Sequence, residues 1–70
     1  MKFDPHQYAI DAGWDRESIE KTAELGVADR DEEIIREIAA EQGLSGDELE
    51  DAAVEATSAL LRFCKQRVAE

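Results

Sequence analysis

Gly13, Gly26 and Gly43 are each followed within three residues by a helix-starting side chain, Asp15, Asp29 and Ser45 in turn. A glycine adopts the left-handed backbone that closes a helix at little steric cost. A short side-chain oxygen then accepts from the free N–H groups that open the next helix. This punctuation cuts the chain into four segments of helical length. None of them alternates with the period of a strand, and no Asn-Gly or Asp-Gly hairpin signal is present. The expectation is an all-α fold: one acidic domain over residues 1–70, a small bundle of three to four helices with the longest last.

Each segment has its own logic. The first opens with Asp4 as cap and Pro5 at the first helical position, and stops at Gly13. Phe3, Tyr8 and Ile10 are its expected apolar contacts. Asp15 caps the second, with Trp14 and Ile19 placed as a hydrophobic staple. Ile19, Ala23, Thr22 and Leu25 are expected inward, and Gly26 ends it. Asp29 and Glu32 have capping-box spacing for the third, which runs to Gly43 with Ile34, Ile35, Ile38 and Ala39 as its inward stripe. Ser45 and Glu48 repeat that spacing for the fourth, with Leu44 and Leu49 as staple. This helix runs from Gly46 to about Val68 and gathers Leu49, Ala52, Ala53, Ala56, Leu60, Phe63 and Cys64 on one face. Its acids come first and its bases (Arg62, Lys65, Arg67) last, as the helix dipole favours.

The segment "IIREIAAEQGLSGDELEDAA" resembles the helix-turn-helix motif of bacterial regulators. Ala39 matches the small residue under the turn, Gly43 the glycine four positions on, and Leu49 the apolar anchor six further. Ile38 and Ala52 match core positions. The resemblance covers about 20 residues and implies a helix-turn-helix-like pairing of the third and fourth helices. Its reading positions carry the wrong chemistry for DNA. Gly46, Asp47, Glu48, Glu50 and Asp51 stand where a DNA reader presents cations and amides to phosphates and base edges.

Charge sharpens the point. The formal net charge is −10, from 18 acids against 8 bases. Residues 29 to 55 hold eleven acids and two bases, Arg30 and Arg36, so −9 of that charge lies in the third helix and the start of the fourth. Such a chain is poorly suited to nucleic acid or anionic lipid. Acids near helix starts are explained by the dipole, which covers Asp29, Asp31, Glu32, Glu33, Asp47 and Glu48. Glu37, Glu41, Glu50, Asp51 and Glu55 have no such reason. The expected binding residues are these five with the adjoining Asp47 and Glu48, that is Glu37, Glu41, Asp47, Glu48, Glu50, Asp51 and Glu55, on a contiguous solvated surface. The expected partner is a basic protein, for example a nucleic-acid-binding one, inhibited or adapted by DNA mimicry of the phage or mobile-element kind. The alternative is a helix-turn-helix-like regulator or dimeric adaptor that uses its helices for protein contacts.

Catalytic and metal classes find little support. Asp29, Asp31 and Glu33 fit the first three ligand positions of an EF-hand, but Ile34 takes its glycine position and Ala40 its bidentate glutamate. A single histidine, His6, and a single cysteine, Cys64, supply neither a zinc cluster nor an internal disulfide. Cys64 falls on the apolar face, where thiols are commonly inert. The expectation is no enzyme and no cofactor. No run of about 18 apolar residues exists, and Asp4 and Pro5 interrupt any signal-like stretch in "MKFDPHQYAI". The expected compartment is the cytoplasm.

Seventy residues bury only roughly 60–65% of the surface the unfolded chain exposes, so self-association is an expected source of stability. Val54, Leu61 and Val68 recur at seven-residue intervals beside the main apolar face. They are the expected homodimer seam.

Overall fold

The computed structural model describes residues 1–70. It is all-helical, in the order α1 (Pro5–Asp11), α2 (Arg16–Leu25), α3 (Asp29–Glu41) and α4 (Gly46–Ala69). At 1.5 Å per residue the 24 residues of α4 span about 36 Å. This matches the long dimension of the molecule, 35 × 18 × 18 Å. The last helix is the spine, and α1, α2 and α3 all pack on it.

Local chemistry sets most of the boundaries. The Asp4 carboxylate accepts from the N–H groups of His6 and Gln7, with Pro5 behind it at the first helical position. The Asp15 carboxylate accepts from Ser18 N–H at 2.9 Å. Gly13 and Gly43, at φ 71° and 86°, close α1 and α3 in the same way. Trp14 N–H donates to the Ala9 carbonyl and Gly13 N–H to that of Ile10; Leu44 N–H donates to Ala39 and Gly43 N–H to Ala40. This is the Schellman pattern, which satisfies the orphan carbonyls and turns the chain sharply.

Two caps differ from expectation. Ala28 is the cap of α3, and Asp29 is its first helical residue, so the Asp29–Glu32 capping box does not form. Ser45 is the cap of α4, but its hydroxyl makes no capping bond. Acids in the first turns, Asp29, Asp31 and Glu32 in α3 and Asp47 and Glu48 in α4, leave dipole stabilisation as the remaining source of end stability.

The core is small. Ile35, Ala39, Leu60 and Cys64 are fully enclosed, with Tyr8, Ala9, Ala53 and Ala56 nearly so. Phe3, Trp14, Val27 and Ile38 close its edges. Burying Ile35 and Leu60 is worth about 1.5–3 kcal/mol each. The alanines of α4 let neighbouring helices approach closely. Tyr8 sits among aromatics, with Phe3 and Trp14 rings each 5.7 Å away. Three expected core residues lie outside. Ile10 is 57% exposed, Leu25 80% and Ile34 37%. Leu25 is the last residue of α2, and Ile10 and Ile34 point off the edges of their stripes.

Asp31 is a larger departure. Grouped above with the acids that helix starts favour, it is buried, at 4% exposure. The Tyr8 hydroxyl donates to its Oδ1 at 2.6 Å. The N-terminus is held by a reciprocal pair in which Lys2 N–H donates to Gln42 Oε1 at 2.9 Å and Gln42 Nε2 donates to the Lys2 carbonyl at 2.8 Å. At the other end Arg16 Nη1 donates to the Arg67 carbonyl, tying the start of α2 to the end of α4.

Candidate protein-docking surface

Helices α3 and α4 form a close pair joined by the turn at Gly43–Ser45. Arg36 of α3 meets Glu50 of α4 at 3.2 Å, and Glu32 lines the same groove as Thr57. The chain therefore doubles back on itself. Ile35 packs with Ala53, Ala56 and Leu60 across the interface, and Ala39 on the same stripe is buried, so the outward rows of the two helices face away from each other.

All seven proposed binding carboxylates are exposed: Glu37, Glu41, Asp47, Glu48, Glu50, Asp51 and Glu55. They do not form one flat face. Glu33, Glu37 and Glu41 recur every four residues along the outer row of α3. Asp47, Asp51 and Glu55 do the same on α4. Each row lies opposite its helix's buried stripe, and the two rows adjoin through the α3–α4 turn that joins their ends at Glu41 and Asp47. Glu41, Asp47 and Glu48 flank that turn. The Lys2 backbone is held beside it by Gln42.

Pairing separates the seven further. Glu50 is engaged by Arg36, and both side chains are half-exposed. The remaining ion pairs, Arg16–Glu20, Lys21–Glu17 and Arg67–Glu70, lie in α2 and at the end of α4. Glu37, Glu41, Asp47, Glu48, Asp51 and Glu55 have no cationic partner within 4 Å. Their charge is left to solvent or to another molecule.

The expected dimer seam is uneven. Val54 is 63% exposed and Val68 40%, but Leu61 between them is half-buried. Val68 borders a depression shared with Glu20, Ala23 and Glu24 of α2. Trp14 is half-buried against the core.

No three His, Cys, Asp or Glu side chains are grouped to hold a metal ion, and no helix is long and apolar enough to cross a membrane. Cys64 is buried. Its thiol is pushed up by burial and secondarily by the Asp31 carboxylate, which disfavours the nucleophilic thiolate. Two features escaped sequence reasoning. Asp31 sits at i, i+4 and i+7 with Ile35 and Ile38, a lone acid on an apolar stripe, and that spacing was the available signal. Arg62 and Lys65 prolong the outer row of α4 as bases. Comparison with family models, curated proteins and solved structures gives no match, so the surface itself carries the functional argument.

Proposed function

We propose that this chain is a non-enzymatic acidic binding protein that inhibits or adapts a larger basic partner, docking through the α3–α4 turn and the carboxylate rows that meet there. The observation that carries the reading is the set of six exposed carboxylates without intramolecular partners, on helices held rigid by a common core. Preset charge of this kind accelerates encounter and selects a partner of opposite sign. Carboxylates on a helical scaffold can also occupy a phosphate-binding site, so a nucleic-acid-binding protein is the favoured partner class.

The test compares two neutralised variants at equal charge. One carries Glu37→Gln, Glu41→Gln, Asp47→Asn and Glu48→Gln. The other carries Glu17→Gln, Glu20→Gln, Glu24→Gln and Asp11→Asn, away from the turn. Partners captured from lysate are challenged with duplex DNA and with salt. The reading expects capture to fail for the first variant and persist for the second. Bound partner should be released both by duplex DNA and by salt. Capture indifferent to salt, or equal loss in both variants, overturns it.

A further inference from the structure

The outer row of α4 continues beyond its acids. Asp47, Asp51, Val54, Ser58, Arg62, Lys65 and Ala69 are all exposed. Their spacing is four, three, four, four, three, four, which reads the same in both directions about Ser58. At 100° per residue these seven positions stay within a stripe about 80° wide. The charge along the stripe does not share that symmetry: acids occupy one end and bases the other. Arg62 and Lys65 take part in none of the chain's ion pairs, and neither do Asp47 and Asp51. Glu20 and Glu24 of α2 border the depression beside Lys65 without pairing with it.

We infer that this stripe binds a second copy of the chain in antiparallel orientation, about a two-fold axis through Ser58. In that arrangement Asp51 faces the second copy's Lys65, and Val54 lies along the aliphatic stem of its Arg62. Asp47 meets the small Ala69, and Ser58 meets itself, where two helices need little room. A parallel arrangement instead sets Asp47 and Asp51 against themselves and Arg62 and Lys65 against themselves. Like charges then oppose at four positions, so charge selects the orientation. Relief favours the same contact. Val54 and Ser58 stand between two open grooves, one bordered by Met1, Phe3 and Ala59, the other by Glu32, Arg36 and Thr57. Val54, at 63% exposure, is the apolar centre of each half.

This contact differs from a Val54–Leu61–Val68 seam, which the half-burial of Leu61 interrupts. It also goes beyond the docking reading and does not depend on it. The second copy covers Asp47 and Asp51 and leaves Glu37 and Glu41 outward, so self-pairing and partner docking compete for part of one surface. Each copy carries a net charge of −10, so association needs enough salt to screen the remainder of the molecule.

Sedimentation equilibrium of the full chain, from about 10 µM to about 1 mM at about 0.15 M salt, reads the dimer directly. The expected result is a reversible, weak dimer, as suits a small contact. Asp51→Lys alone and Lys65→Glu alone are each expected to weaken it by about tenfold, since each turns two symmetry-related attractions into repulsions. Combined in one chain, they restore it. Oxidation of a mixture of Asp51→Cys and Lys65→Cys chains is expected to give the mixed disulfide, with Cys64 buried and unreactive. A monomer throughout the range, failure of the double variant to restore association, or preferential Asp51→Cys self-linkage overturns the proposal.

Discussion

The Tyr8 hydroxyl and the Asp31 carboxylate, 23 residues apart, meet at 2.6 Å inside the bundle and form its one buried polar pair. Alanine, isoleucine and leucine pack in many registers; a hydroxyl that must find a carboxylate does not. This contact ties α1, which packs on α4, to the start of α3 and so fixes its register. Tyr8→Phe is expected to cost about 1–3 kcal/mol by chemical denaturation, because Asp31 stays buried without its donor. Replacing both, as Tyr8→Phe with Asp31→Leu, is expected to recover part of that loss.

The same pair gives the fold an alkaline limit. Burial raises the Tyr8 phenol well above its ordinary value of 10.0, aided by the hydrogen bond to Asp31 and that carboxylate's charge, with Arg30 opposing. The native state therefore holds this proton more tightly than the unfolded chain. Its contribution is complete below about pH 10 and declines as pH rises through the folded value. Stability against pH, followed by circular dichroism between about pH 9 and 12, is expected to fall more steeply in the wild type than in Tyr8→Phe.

Asp15 sets a corresponding acid limb. Its carboxyl is held below 3.8, chiefly by the backbone hydrogen bond from Ser18 and then by that residue's hydroxyl. The depressed value stabilises the fold above the unfolded pKa, and that contribution fades as pH falls through the folded one. Asp15→Asn retains an acceptor at the cap, so denaturation midpoints are expected to stay close to wild type at pH 7 with a flatter acid limb. Asp15→Ala is expected to lose stability at pH 7 and to approach the wild type in acid.

Gly43 tests the turn between the two acidic rows. At φ 86° it lies where an L side chain is strained, and an added Cβ meets nothing within 4 Å. The cost of Gly43→Ala is therefore backbone strain alone, about 1–2 kcal/mol in a denaturant midpoint. A larger loss would point to a clash that this geometry lacks.

Cys64 reports global opening. With 0% exposure and a thiol raised by burial, its labelling by a thiol reagent is expected to track the unfolded fraction across a denaturation series. Labelling much faster than that fraction allows would reveal a local route to the core.

The helices were legible because their ends are local chemistry. Asp4 with Pro5, Asp15, and the glycines at 13 and 43 act over three or four residues, and those are the distances a sequence displays directly. The α3 start moved by one residue: Ala28 takes the cap position with no side-chain hydrogen bond, and Asp29 enters the first turn, where the dipole favours its charge. Packing at the periphery was less legible. Ile10, Leu25 and Ile34 fit their patterns, but whether a stripe's edge is covered depends on how far the neighbouring helix reaches. Asp31 was misplaced because its partner lies in another helix, although its register with Ile35 and Ile38 marked it. The seven carboxylates expected on the solvated surface are exposed. Their split into two rows follows from how α3 and α4 face each other, which composition does not encode.

A core with only four fully enclosed side chains, one of them an alanine, has a practical corollary. Any molecule that binds the folded form alone adds stability by mass action, about 2.7 kcal/mol at a hundred times its Kd. In a domain of this size each kcal/mol moves the melting midpoint by about 4–8 °C. A cognate ligand therefore announces itself as a rise of well over about 10 °C, so heat alone, with no label and no assay of activity, is enough to screen for it.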